Sequence, residues 1–144
     1  MNKLPPRSPF GLLQEDLVPN EWLILISCMM LNCTSRKQVE KVFPTFIKKW
    51  PTPQQLLSAS RDDIVQVCKS LGFASKRTDN IIKMTNAYLN SDWNHASELP
   101  GIGTYAARSW EIFCRNILGA EMPQDHALTV YWKWRTHNGT TKTT

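Results

Sequence analysis

Apolar residues recur along the chain mostly at helical spacing, and one run is apolar on every face. That run, WLILISCMML from Trp22 to Leu31, is far shorter than the roughly 20 residues of a membrane span, so it predicts a buried core helix. Downstream, apolar positions three or four residues apart predict a second helix, which we expect Pro44 to kink or break. Its apolar positions are Val39, Val42, Phe43, Phe46, Ile47 and Trp50.

Capping signals mark where further helices begin. Thr52 precedes a proline and is followed three residues later by Gln55, and Ser60 with Asp63 repeats the pattern. Helices are expected over about 61–71 and about 76–89 with a turn at 72–75 between them, after Gly103, and after Asp125. In the helix after Gly103, the residues predicted to face inward are Ala106, Trp110, Phe113 and Ile117.

The class predicted from these patterns is all-α, because no alternating apolar pattern is long enough for a sheet. A chain of 144 residues corresponds to one ordinary domain. We expect an extended arm over residues 1–9, a folded domain over 10–137 and a flexible tail over 138–144. The proline-rich arm is expected either to pack onto the domain through Phe10 or to fray.

Charge and cysteine content narrow the classes of function. The formal net charge of +5 and the pI near 9.2 favour a polyanionic partner. Four scattered cysteines, without a CxxC pair or a histidine at ligand spacing, argue against a zinc or iron-sulfur site. We expect no metal and no cofactor. The cysteines instead suggest buried thiols in a reducing compartment. The cysteines are Cys28, Cys33, Cys68 and Cys114.

The stretch LPGIGTYAA, residues 99–107, carries the most specific local signal. Glycine permits a positive φ or a close approach to the main chain, and a helix is predicted to follow. The amide N–H groups of Gly101, Gly103 and Thr104 would then face outward at the positive end of that helix, where a nucleic-acid phosphate can bind. A plain tight turn between two helices is the alternative.

This stretch resembles the helix-hairpin-helix element of DNA glycosylases of the endonuclease III type. That superfamily places an aspartate after the hairpin's second helix, and Asp125 stands 22 residues beyond Gly103. From about Pro5 to His137, the order of motifs is similar to the catalytic domain of the methyl-CpG-binding-domain thymine glycosylases. The motifs are PPRSPFGLLQEDL, LILISCMMLNCTS, KSLGF and PQDHAL.

The resemblance implies a two-lobed helical glycosylase fold without an iron-sulfur cluster and with a DNA-facing cleft between its halves. It implies removal of thymine or uracil opposite guanine by base flipping, with Asp125 assisting hydrolysis of the N-glycosidic bond. A carboxylate there would stabilise the oxocarbenium-like transition state. A plain helix N-cap is the alternative role of Asp125. Tyr105 occupies the position of the Schiff-base lysine of lyase-competent relatives, so strand cleavage is not expected.

The resemblance also assigns a base pocket and a DNA-contacting surface. The pocket residues are Tyr105, Gln14 and Leu13, each of which has an ordinary structural role as its alternative. The residues expected to contact DNA besides the hairpin are Arg108, Lys76, Cys33, Arg36, Leu71 and Phe73. Cys33 stands where the thymine glycosylases have arginine, and Ala127 where they have lysine. Cysteine is too short to fill the space that a flipped base leaves in the duplex. Arg36 could fill that space instead, or Leu71 and Phe73 could do so as wedges.

The expected partner is double-stranded DNA with a mismatched or damaged base, bound by a monomer in the nucleus and away from membranes. The sequence is also compatible with two other functions. Cys33 and Ala127 allow a DNA-binding module whose catalysis is weak or lost, and an altered pocket would allow a glycosylase for another damaged base.

Overall fold

The computed structural model describes residues 4–32, 34–119, 122–123 and 125–139, and within them the regular structure is entirely helical. Short helical turns of other types lie at Lys69–Leu71, Ala96–Glu98 and Arg135–Gly139. The α-helices are α1 (Leu13–Leu17), α2 (Glu21–Leu31), α3 (Arg36–Lys49), α4 (Pro53–Leu57), α5 (Arg61–Cys68), α6 (Ala74–Asn90), α7 (Thr104–Cys114) and α8 (His126–Trp134). No helix of the described residues is both long and apolar enough to cross a membrane.

Helix α2 is the centre of the molecule, as its apolar run predicts. It contacts α1, α3, α6 and α7. One face packs into a large core shared with α3 to α7, while Ile24 joins a second, smaller core. The smaller core comprises Leu12, Ile24, Ile112, Phe113, Leu128 and Tyr131. The all-α, two-lobed architecture is therefore confirmed, with α2 and α7 shared by both lobes.

The predicted capping signals are confirmed. The Thr52 hydroxyl accepts a hydrogen bond from the main-chain N–H of Gln55 in α4, at 3.2 Å. The Ser60 hydroxyl accepts one from the N–H of Asp63 in α5, also at 3.2 Å. Helix α6 begins at Ala74, two residues earlier than expected, because Phe73 takes a left-handed conformation (φ 49°) as its N-cap. The helix expected over 61–71 ends as an α-helix at Cys68 and continues as a short helical turn over Lys69–Leu71, so only Gly72 and Phe73 separate it from α6.

Of the kink or break expected at Pro44, the break is absent, and the inward position expected for Ile117 is wrong. Helix α3 is not broken at Pro44: the helix continues to Lys49, with Phe43 and Phe46 buried on either side of the proline. Proline removes only one main-chain donor, so packing of the flanking residues suffices to keep the helix continuous. Ile117 does not face inward, because α7 ends at Cys114 and the Ile117 side chain is 51% exposed.

The N-terminal segment is fastened to the domain by polar contacts rather than through Phe10, which is 50% exposed. The buried carboxylate of Glu15 accepts two hydrogen bonds from Ser8, one from its main-chain N–H at 2.5 Å and one from its side-chain hydroxyl at 2.8 Å. The Tyr131 hydroxyl donates to the Pro6 carbonyl at 2.6 Å. These bonds join the arm to α1 and α8. At the other end, residues 138–139 belong to the last helical turn, and residues 140–144 lie outside the described residues.

Candidate active site and nucleic-acid interface

The hairpin between Ala96–Glu98 and α7 uses its two glycines differently. Gly101 has φ +79°, and a Cβ there would lie 3.0 Å from the Met29 methyl group. Gly103 has φ −91° and ψ −169° as the N-cap of α7, with nothing within 4 Å of the position of a Cβ. The expected positive φ is therefore found at Gly101, whereas Gly103 leaves open surface.

The start of α7 has the features of an anion site. Gly103 and Thr104 are exposed, and Gly103 has no side chain with which to cap the first amides of the helix. Unpaired amides at a helix N-terminus, together with the helix dipole, attract a phosphate. The same surface is left free of a Cβ at Gly103, so an anion can approach the main chain closely.

A cavity of about 350 Å³ lies between α1, the end of α2 and the start of α8. It brings together all four residues predicted for the base pocket and catalysis, although they come from distant parts of the chain. Its lining residues are Leu12, Leu13, Gln14, Leu31, Asn32, Thr34, Arg36, Tyr105, Asp125 and Ala127.

Gln14 and Tyr105 form the inner wall of this cavity. Gln14 Nε2 donates to the Tyr105 hydroxyl at 2.6 Å and to the Ser109 hydroxyl at 3.2 Å, with Cys28 Sγ at 3.7 Å. Burial raises the pKa of Tyr105 well above its ordinary value, and the neighbouring ionisable groups of Cys28 and Asp125 add to the shift. The Tyr105 phenol is therefore neutral at physiological pH, and it is held in place through the buried amide of Gln14.

Asp125 is the N-cap of α8, which is one of the two roles predicted for it. Its Oδ2 accepts the N–H of Leu128 at 3.1 Å, and the residue is half-buried in the cavity wall. The Thr129 hydroxyl donates to the Pro123 carbonyl at 2.6 Å, which ties the preceding loop to the helix. The carboxylate therefore lies at the positive end of the α8 dipole, beside the first amides of the helix. The geometry thus supplies a fixed negative charge at the cavity.

The two candidate wedge residues differ in exposure. Leu71 is 5% exposed and belongs to the large core, so its side chain is not available to insert into a duplex. Phe73 is 77% exposed in its left-handed conformation. Phe73 borders a second cavity of about 250 Å³, which Lys76 and Gly101 also line. Phe73, the exposed Lys76 and the hairpin therefore border one surface depression.

Arg36 and Arg108, two of the basic residues predicted to contact DNA, form ion pairs within the protein. Arg36 lines the base cavity and forms an ion pair with Glu40 at 2.7 Å. Arg108 is largely covered and lies 3.3 Å from Glu111. Arg77, which follows Lys76 in the first turns of α6, is half-buried and donates to main-chain carbonyls. Cys33 lies outside the described residues, within which there is no group of three or more side chains able to hold a metal ion.

A family model described as "HhH-GPD superfamily base excision DNA repair protein" matches residues 26–139, most of the chain. The chain belongs to this superfamily. The expected resemblance to helix-hairpin-helix DNA glycosylases is thereby confirmed.

Members of the HhH-GPD superfamily provide the sequence relatives. A methyl-CpG-binding domain protein 4-like protein of Arabidopsis thaliana is 36% identical over 131 residues, which cover 91% of this chain and 29% of that protein. A thymine/uracil-DNA glycosylase of Pyrobaculum aerophilum is 28% identical over 93 residues, covering 60% of this chain and 40% of that protein. The chain therefore spans well under half the length of these two relatives.

Solved structures show the same fold. A thermostable thymine-DNA glycosylase superposes with a TM-score of 0.65 at 20% identity, covering 69% of this chain and 49% of that one. An endonuclease III in a non-covalent DNA complex superposes with a TM-score of 0.66 at 16% identity, covering 80% of this chain and 60% of that one. Within this HhH-GPD domain, sequence reasoning missed Ser109 and Cys28 behind Gln14. Both read as ordinary helix residues, so no sequence signal pointed to them.

Proposed function

We propose that the chain is a monofunctional DNA glycosylase that removes thymine or uracil opposite guanine, as left by deamination in CpG sites. The observation that carries the proposal is that Asp125, Gln14 and Tyr105 line the same cavity. Membership of the base excision repair superfamily supports a glycosylase activity. The name of the Pyrobaculum aerophilum relative supports thymine and uracil as substrates.

Asp125 is the proposed catalytic residue. Cleavage of an N-glycosidic bond builds positive charge on the sugar, and a nearby carboxylate stabilises that charge or orients the attacking water. Asp125 caps the N-terminus of α8, and the hydrogen bond that it accepts from the Leu128 amide fixes the carboxylate in place. The cap and the catalytic role are therefore compatible: the cap holds the charge where the reaction requires it.

Gln14, Tyr105 and Leu13 are the proposed pocket for the flipped base. The Gln14 amide and the Tyr105 hydroxyl offer hydrogen-bonding groups to the Watson–Crick edge of a pyrimidine, and Leu13 supplies an apolar wall. Mispaired bases cost less to extrude than paired ones, which contributes to selectivity before any contact is made.

The absence of lyase activity follows from Tyr105. A Schiff base with the abasic sugar requires an amine, and the neutral phenol at this position cannot form one. The strand is accordingly left intact after base release.

Double-stranded DNA with a mismatched or damaged base is the proposed partner, bound by a monomer in the nucleus. Gly101, Gly103 and Thr104 would contact a phosphate, with Lys76 adding charge on the same side. Phe73 is the proposed wedge, since it is exposed beside the hairpin. Arg36 lines the base cavity, which supports a contact between its side chain and the flipped nucleotide.

The test is single-turnover base release from G·T, G·U and fully matched duplexes by the native protein and by Asp125→Asn. Strand cleavage is scored separately before and after alkali. We expect release from the two mismatches only, with strand breaks only after alkali. Asparagine preserves the cap but removes the charge, so Asp125→Asn should lower the rate by about 100-fold or more.

Two results would contradict the proposal. Strand breaks without alkali would exclude a monofunctional enzyme. No release from any duplex, with binding retained, would favour instead a DNA-binding module or an enzyme for another damaged base.

A further inference from the structure

The side chain of Arg77 is half-buried, and its guanidinium donates to acceptors of the protein itself. A guanidinium carries five N–H donors, and here each donor has an acceptor. The acceptors are the carbonyl oxygens of Gly72 (2.8 Å), Met29 (3.0 Å), Met30 (3.2 Å) and Asn32 (2.7 Å), and the hydroxyl of Thr34. Although Arg77 stands among basic residues at the start of α6, it has no donor left for a DNA phosphate.

These acceptors belong to two segments that are distant in sequence. Met29, Met30 and Asn32 lie at the C-terminal end of α2, where carbonyls lack helical partners and the helix dipole is negative. Gly72 belongs to the turn that holds Phe73 in its left-handed conformation. One positively charged side chain thus donates hydrogen bonds to the free carbonyls at the end of α2 and to the turn, and so holds the two segments together.

Thr34 adds a second connection between the same segments. Its hydroxyl accepts from Arg77 and donates to the Leu71 carbonyl at 3.2 Å. Thr34 and Asn32 also line the base cavity, while Phe73 is exposed beside the hairpin. The Arg77 clamp therefore joins one wall of the base cavity to the turn that carries the proposed wedge.

We propose that Arg77 is a positioning residue for base flipping, which fixes Phe73 relative to the base cavity. The inference rests on the proposed glycosylase function. A wedge assists extrusion only if it enters the duplex at a set distance from the pocket that receives the base. The left-handed conformation of Phe73 is unfavourable for a bulky side chain, so surrounding contacts have to maintain it.

The test compares Arg77→Lys with the native protein on uracil in a G·U duplex and on uracil in single-stranded DNA. Lysine keeps the charge but cannot reproduce the planar set of five donors. We expect the single-turnover rate to fall by about tenfold or more on the duplex, with little change on the single strand, where no wedge is needed. Arg61→Lys is the matched control, because Arg61 also binds α6, through Ser75 and Asp79, but does not contact the turn.

A double-mutant cycle with Phe73→Ala separates positioning from general stability. If Arg77 acts through Phe73, Arg77→Lys should slow the duplex reaction by less than about twofold in the Phe73→Ala background. Thr34→Val, a milder change, should show the same duplex-specific loss if Arg77→Lys unfolds. Equal losses on both substrates, or additive losses in the cycle, would overturn the positioning role. Failure of the native protein on every substrate would instead refute the proposed function.

Discussion

Gly101 and Gly103 stand one residue apart, and the structure gives each a different reason to be glycine. Gly101→Ala should lower the free energy of unfolding by about 1–2 kcal/mol, because its φ of +79° strains any side chain. Gly103→Ala should change stability by less than about 0.5 kcal/mol, because its φ is ordinary and its surroundings are open. Gly103→Ala should instead weaken DNA binding, since a methyl group would stand where a phosphate approaches the main chain.

The pair provides its own control, because the same substitution is made at both positions. Urea unfolding measures stability, and fluorescence anisotropy with an abasic-site duplex measures binding. Weaker binding by at least about fivefold for Gly103→Ala, at native stability, would support the phosphate site. Unchanged binding would leave the hairpin as a tight turn only.

At the scale of the element, α8 depends on Asp125 for its first turn. Asp125→Asn should leave the free energy of unfolding within about 0.5 kcal/mol of native, because asparagine caps a helix as well as aspartate does. Asp125→Ala should cost about 1 kcal/mol, similar to Ser60→Ala at the cap of α5. Thermal unfolding of the three variants checks this. If Asp125→Asn destabilised the protein as much as Asp125→Ala, its loss of activity could not be assigned to the missing charge.

Across the whole molecule, residues whose environment is set locally were predicted best. The N-caps Thr52, Ser60 and Asp125 follow from a few neighbouring residues, and the family resemblance named the residues that meet in the base cavity. Burial of Leu71 could not be foreseen, because a leucine in a turn is exposed or buried according to helices far away in sequence.

The tertiary partners of charged and aromatic side chains also could not be predicted from the sequence. The Arg77 clamp needs the end of α2 and the turn before α6 to meet, and these segments lie more than 40 residues apart. The continuity of α3 through Pro44 likewise depends on tertiary packing of Phe43 and Phe46, which outweighs a local preference.

Buried thiols make the stability of the whole molecule sensitive to alkali. Burial raises the pKa of Cys28 from 9.0 to about 11, and that of Cys68 likewise to about 11. Between these values the unfolded chain loses thiol protons that the folded protein keeps, so the free energy of unfolding falls as pH rises. Below about pH 9 this contribution is fully present. For Cys28, which is fully buried, the loss at about pH 11 is on the order of 2 kcal/mol.

Urea unfolding under reducing conditions, from about pH 8 to about pH 10.5, measures this dependence. Cys28→Ala is the comparison, and its slope of stability against pH matters rather than its absolute stability, since the smaller side chain leaves a cavity. We expect a shallower slope for Cys28→Ala than for the native protein, because one fewer proton is released on unfolding. Identical slopes would mean that the Cys28 thiol ionises as readily in the folded protein as in the unfolded chain. The packing around Gln14 would then be open to water, contrary to the buried inner wall of the cavity.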